Sequence, residues 1–334
     1  MKAMSRVLTG FRLPRRLCLS GVAAGLFTVL GLFELCAGED SAAWQPQRLA
    51  LPGLPNVLQL HPQVRSGGLP EGEAAFAALA ERGVKTIISV DGAQPNVTLA
   101  RKHGLRYVHL PHGYDGIPEE RVKELAKAVR DLPGPIYIHC HHGRHRSPAA
   151  AAVACVAAGL LEPAQAPAVL AAAGTSPHYR GLFHATQTAR RLSDQTLAGI
   201  RADFPETARI PPIAEAMIEI EHVYDRLVAL GANRWKRLPA QPDLDPAHEA
   251  LLLKEHYREL GRSPALRQQP SAMSVLLREA ERRAEALVRL LRAPGGEAAA
   301  IDSAFSAVQA DCRTCHERFR DVPLSEKRAA GSSR

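Results

Sequence analysis

The sequence predicts an α/β domain, a sheet flanked by helices, followed by an all-α four-helix bundle. Three observations carry this expectation. Short apolar runs alternate with helical patterns from about residue 57 to residue 192, four amphipathic stretches follow beyond Arg191, and 334 residues are too many for one ordinary core. Hydrophobic residues make up 46% of the chain, which is ample for packed interiors and argues against disorder.

The first half is justified element by element. Apolar runs at 57–60, 84–90, 105–110 and 136–138 are short and bounded by Gly, Pro or charged residues, as strands are. Between them lie helical patterns at 71–82, 97–103 and 118–132, and an Ala-rich helix follows from 149. In the second half, helical stretches are expected at 211–230, 247–260, 271–291 and 297–319. Ile213, Met217, Ile220, Tyr224 and Leu227 fall on one face of the first, and Phe305, Val308, Cys312, Cys315 and Phe319 on one face of the last. Four such faces imply a shared bundle core. The resulting organisation is 1–38, a signal peptide or N-terminal anchor; 39–55, a linker rich in Ala, Pro and Gln; 56–195, the α/β domain; 204–324, the bundle; and 325–334, a tail.

Residues 1–38 stand apart. Lys2, Arg6, Arg12, Arg15 and Arg16 precede the uncharged run 17–33, and Cys36-Ala37-Gly38 offers small residues for cleavage, the pattern of an export signal. Arg15-Arg16 hints at the twin-arginine route, but the residues after this pair fit general secretion better. Glu34 and Leu35 make Cys36 a poor lipidation site. Left uncleaved, 17–33 would be a membrane anchor at the short limit of a span. The expected location is periplasmic, free or held at the cytoplasmic membrane. Removing 1–38 lowers the formal charge from +8 to +4, and no basic stripe interleaved with aromatics appears, so nucleic acid is not an expected partner.

Two sulfur-bearing segments carry chemistry. Residues 139–148, His-Cys-His-His-Gly-Arg-His-Arg-Ser-Pro, join the run 136–138 to the Ala-rich helix. A tight loop between strand and helix aims successive amides and the helix dipole at one point, a seat for an anion. Cys140 stands at its entrance, in a field that favours the attacking thiolate, and Arg146 offers a planar fork for two phosphoryl oxygens. The four His around Cys140 leave a metal cluster as the alternative. The second segment, Cys312-Arg313-Thr314-Cys315-His316, is the Cys-x-x-Cys-His pattern of covalent c-type haem, with a redox dithiol or half a zinc site as alternatives. Cys155 lies eight residues along the helix beyond Ser147, roughly 12 Å away at the usual rise, which argues against a disulfide to Cys140.

The order Cys140, five residues, Arg146, Ser147, with His139 before and Gly143 within, resembles the signature loop of the protein tyrosine and dual-specificity phosphatases. Arg65-Ser66-Gly67 and residues 83–88 extend that resemblance over about 55–192. It implies that Cys140 attacks a phosphorylated substrate to give a phosphocysteine and that Ser147 eases the thiolate's departure. Arg146 and the loop residues His141, His142, Gly143, Arg144 and His145 would bind the phosphate, through backbone amides or through a basic side-chain rim. An Asp on an upstream loop would protonate the leaving group. Asp115, 25 residues before Cys140, is the candidate, and Asp91 the second choice, reading as a turn residue before Gly92. Residues 204–321 resemble the class II cytochromes c, the cytochrome c′ family. This implies haem c on Cys312 and Cys315, iron held by His316, a redox partner protein or a small gas as partner, and a homodimer. Met217 is either a distal ligand or core filling, with Met273 and His222 behind it. The expected function is an exported cysteine-dependent phosphatase carrying a haem for electron transfer or sensing. The alternative is a haem protein whose phosphatase-type fold only binds an anion.

Overall fold

The computed structural model describes residues 44–331; the expected signal segment, with Cys18 and Cys36, lies outside the described residues. Six strands, β1 (Gln47–Leu51), β2 (Leu54–His61), β3 (Val64–Gly67), β4 (Thr86–Ser89), β5 (Arg106–His109) and β6 (Ile136–His139), form one sheet in the order β1-β2-β3-β6-β4-β5. The first three pair antiparallel, while β3-β6-β4-β5 are parallel. All residues of β4 and β6 are buried because helices cover both faces, which is why these strands read as continuous apolar runs.

The sheet's helices are α1 (Gly72–Glu81), α2 (Val97–Lys102), α3 (Glu119–Asp131), α4 (Arg146–Ala157), α5 (Ala166–Ala173), α6 (Arg180–Gln187) and α7 (Asp194–Gly199). Every residue of α4 is buried. Its alanines let it lie against β2, β3, β6 and three helices at once, so its position, and that of the loop at its N-terminus, is tightly determined. In open parallel sheets, ligands sit beyond the carboxyl ends of the strands. Here that edge gathers Gly67, Asp91, the segment after β5 and Cys140.

The second unit of packing is an antiparallel bundle of α8 (Pro212–Ala232), α9 (Pro246–Arg262), α11 (Ser271–Arg292) and α12 (Ala298–Cys315), with a short α10 (Pro264–Arg267) between the second and third. Ile220, Val223, Leu227, Leu253, Tyr257, Leu277, Leu287, Phe305 and Val308 share its core. Tyr224 accepts a hydrogen bond from Gln309 Nε2 at 2.9 Å and stacks on Phe305, while Trp235 Nε1 donates to Asp302 at 2.7 Å. These pairs fix α8 and α12 antiparallel. Seven residues from the Tyr224–Gln309 level, roughly 10 Å along each helix, Met217 and His316 come to the same end of the bundle.

Three expectations need correction. The segment expected as a linker, 39–55, contains β1, whose largely exposed QRLAL sequence is an edge strand without an apolar run. The last bundle helix does not continue regularly to 319: α12 ends at Cys315 and His316–Arg320 form a wider π-helical turn. The expected tail from 325 is instead mostly helix, α13 (Leu324–Gly331), held by Leu324 N donating to Asp115 O at 2.9 Å.

The connection between the two halves is itself structured. Around 204–210 it runs along β5, where His109 N donates to Pro205 O at 2.8 Å and Phe204 packs on the sheet core. His109 donates from Nε2 to Asp91 O at 2.7 Å and accepts at Nδ1 from Ala208 N at 3.0 Å. With one nitrogen giving and the other receiving, the ring is neutral, as its burial also requires.

Candidate active site

The loop 140–146 rises from β6 and turns into α4. Its carbonyls face outward onto partners: His141 O accepts from Leu69 N at 2.9 Å, Gly143 O from Asn56 Nδ2 at 2.8 Å, and Arg144 O from Thr175 Oγ1 at 2.5 Å. Carbonyls tied outward suit an oxyanion seat of inward amides, with the exception of the His141 amide, which donates to Asp91 Oδ2. Gly143 is required twice over, since its φ is +70° and any Cβ there would overlap Gly67 and Gly68 of the neighbouring chain segment.

Cys140 is buried at the start of this loop, and its Sγ donates to Ser147 Oγ at 3.4 Å while Ser147 Oγ donates to Gly67 O at 2.8 Å. The serine hydroxyl is therefore placed to turn its proton to sulfur when sulfur carries charge. His139 bonds Tyr107 OH through Nε2 at 2.6 Å and stacks on Tyr137. Burial keeps this imidazole neutral, at about 4. This ring, one residue before the cysteine, is thus fixed by a tyrosine of β5.

Arg146 is only 7% exposed, and its Nη2 donates to Asp91 Oδ2 at 3.0 Å. The same oxygen accepts from His141 N at 2.6 Å, and Oδ1 accepts from Gly92 N at 2.6 Å. Burial works to raise the Asp91 carboxyl, but Arg146 and the backbone donors outweigh it and hold the group down at about 2. Burial would lower the Arg146 guanidinium, yet Tyr114, Asp91, Cys140 and Glu221 around it raise it. Asp91, read from the sequence as the second choice for the acid and as a turn former, is instead the residue that sets Arg146 against the loop. Its turn chemistry is real, through Gly92, but hides the second role: β4 and β6 are neighbours only in the folded sheet.

Tyr114 lies against Arg146, with the guanidinium 4.5 Å from the ring centroid, and packs on Tyr179 at 4.7 Å. His145 also packs on Tyr179, at 4.6 Å, and burial holds its imidazole down at about 4. Asp115 is positioned by Gly181 of α6, where any side chain would overlap its carbonyl. Its carboxylate pairs with Lys327 of α13 at 2.7 Å. Lys327, in the stretch expected as a tail, is a partner that sequence reading missed.

The bundle end carrying Cys312, Cys315 and His316 meets this rim. Arg320, held by Asp321 at 2.6 Å, lies over Tyr114 at 4.2 Å and Tyr179 at 5.8 Å. Asp225 of α8 pairs with His141 at 3.2 Å, and a Cβ on Gly92 would sit 3.2 Å from Ile218 Cδ1. Ile218, Glu221 and Asp225 form a second stripe on α8, beside the core stripe that contains Met217.

Cys312 and Cys315 are free thiols one turn apart, half-buried. Tyr257 OH lies 3.4 Å from Cys312 Sγ, and Cys315, Phe319 and Met217 pack on the bundle core. Burial, with Arg320 nearby, lowers His316 to about 3, so its imidazole is neutral and able to ligate. Met273 is buried in the core, whereas His222 is exposed and faces Glu219.

The chain matches no protein-family model and no curated protein. Among solved structures it is similar to TpbA of P. aeruginosa in complex with pTyr, at 20% identity over 45% of this chain and 93% of that one, with a TM-score of 0.39. A DUF442 protein from Shewanella putrefaciens CN-32 is 20% identical over 42% of this chain and 96% of its own, TM-score 0.35. The core catalytic domain of the PP-IP phosphatase SIW14 of S. cerevisiae, in complex with citrate, is 15% identical over 45% and 85%, TM-score 0.32.

Proposed function

We propose that the sheet domain is a cysteine-dependent phosphatase of the tyrosine and dual-specificity type, acting on a phosphate monoester. The observation that carries this is the loop itself, with its carbonyls tied outward, Cys140 at its mouth and a buried Arg146 aimed by Asp91. The thiolate of Cys140 attacks phosphorus in line, breaking the bond to the ester oxygen and forming a phosphocysteine. Asp115, released from Lys327, gives its proton to the departing oxygen, and the loop amides of 142–145 with Arg146 hold the equatorial oxygens, the His141 amide being taken by Asp91. Water then attacks phosphorus, sulfur leaves as thiolate, and Ser147 Oγ donates to it. Hydrolysis of an aryl phosphate, abolished in Cys140→Ser, tests the reading; hydrolysis that survives this change would sink it.

The bundle's donor set fits haem c: Cys312 and Cys315 would form the thioether bonds, neutral His316 would hold the iron, and Met217, at the same end of the bundle, would be the distal ligand or line its face. When bound, haem c would supply a one-electron couple or an open iron for a small gas. Tyr257, Phe319 and the bundle core exclude water on that side. Export to the periplasm, with or without the anchor at 17–33, supplies the compartment for such attachment. A second reading, a haem protein whose sheet domain only binds an anion, is favoured by the Asp115–Lys327 pair, which occupies the acid. Cys140-dependent phosphate release separates the two. As expected from the resemblance, pairing of two chains through the bundle belongs to the same proposal.

A further inference from the structure

His141 Nε2 of the loop lies 3.2 Å from Asp225 Oδ2 of α8, and the His142 ring stands edge-on to His141 with centroids 4.3 Å apart. One donor atom from each of the three falls within 4.8 Å of the others, an arrangement that an ion pair between His141 and Asp225 does not require of His142. Glu221 lies one turn before Asp225 on the same stripe of α8. Two imidazoles and one carboxylate suit borderline divalent ions such as zinc, and tetrahedral bonds of roughly 2.0–2.2 Å would need the donors to close by only about 1 Å.

We propose that His141, His142 and Asp225 form a divalent-cation site of the zinc type that bridges the loop after β6 and the first helix of the bundle. His142 is exposed, so the fourth position faces water or Glu221. Two ligands come from one domain and one from the other, so occupancy ties the bundle to the loop. The inference does not depend on the phosphatase or haem readings.

The test is zinc titration of the full chain, stripped with a chelator, in a Cys140→Ser, Cys312→Ser, Cys315→Ser background so that none of these sulfurs competes. One ion per chain should bind through His141, His142 and Asp225. Affinity should fall at least about tenfold in Asp225→Asn and in His142→Gln, since even outer-shell losses cost that much. Asp225→Glu, which keeps the carboxylate, should retain more binding than Asn and controls for folding. X-ray absorption at the zinc edge should show nitrogen and oxygen neighbours at about 2.0–2.1 Å and no sulfur at about 2.3 Å. A sulfur shell, no uptake, or equal affinity in Asp225→Asn would overturn the proposal.

Discussion

Replacing Asp91 by Asn would remove one negative charge from a pair in which both partners are under 10% exposed, Asp91 at 4% and Arg146 at 7%. Asn keeps one oxygen, which can accept from Gly92 N or from His141 N and Arg146 but not from both sides, so the guanidinium loses its carboxylate charge and one backbone donor loses its acceptor. Two routes give the size of the effect. Breaking a buried pair by removing one charge costs about 3–5 kcal/mol, with Asn at the low end because it still accepts hydrogen bonds. The Asp91 carboxyl is held at about 2 against an ordinary 3.8, which corresponds to roughly 2–3 kcal/mol of stabilisation. The routes agree near 3 kcal/mol, or a fall in midpoint of roughly 5–10 °C for a domain of this size. Urea unfolding of the unaltered and Asp91→Asn proteins at pH 7 measures it. Inorganic phosphate at saturating concentration should recover part of the loss, because it returns an anion to Arg146. A loss below about 0.5 kcal/mol, the size of an ordinary surface change, would refute the assignment of Asp91 as the residue that holds Arg146.

The remaining predictions concern the acid, pH, the iron and the seam. Asp115→Asn should slow hydrolysis of an alkyl phosphate by about 10²–10⁴-fold but of a nitrophenyl ester much less, since a good leaving group needs no proton; equal losses on both would point to a structural role. His139 is held neutral down to about 4, so the unfolded chain takes up a proton first. Its contribution of roughly 3 kcal/mol is complete above about pH 6.5 and is lost as pH falls towards 4, and His139→Gln should flatten that decline in unfolding midpoints. In haem-loaded protein, Met217→Leu should lower the reduction potential and convert the iron to high spin; an unchanged spectrum would leave Met217 as core filling. Aryl phosphate turnover, measured with iron oxidised and reduced and Cys140 kept reduced, should differ, and the ratio should return to one in Arg320→Ala, which removes the contact between the turn after His316 and Tyr114. A ratio of one in the unaltered protein would break that link.

The strands β2, β4, β5 and β6, the helices α1 to α4 and the four long bundle helices were legible because each carries its own periodicity, whereas α5, α6 and α7 were not. The loop was legible because Cys140, Gly143, Arg146 and Ser147 are local to one strand-to-helix turn. The rest depends on pairings across long stretches of chain. Asp91 meets His141 across 50 residues and Lys327 meets Asp115 across 212, and neither pairing leaves a periodic trace. The second stripe of α8 was hidden for a different reason. Gly92 and His141, which it faces, are not apolar, so Ile218, Glu221 and Asp225 look like an ordinary half-exposed face.

What holds the bundle against the sheet domain decides how the rim can work. The ion pairs there, Asp115–Lys327, Arg180–Glu326 and His141–Asp225, are all partly exposed. Exposed pairs are worth only about 0–1 kcal/mol each and weaken with salt. The other contacts lie elsewhere: the buried His109 with Ala208 and Pro205 along β5, and the half-buried Phe204 on the sheet core and Ile218 against Gly92. Docking is therefore anchored beside β4 and β5, while the pairs over His141 and Asp115 are weak and can exchange. On the proposed reading, a phosphate ester would meet Tyr114, His145 and Asp115 already engaged by one another or by Arg320 and Lys327, and freeing the acid would take displacement of only the exposed Lys327. A cation on His141, His142 and Asp225 would act on the same seam from the opposite direction, replacing an exposed ion pair with metal–ligand bonds and making that part of the rim rigid.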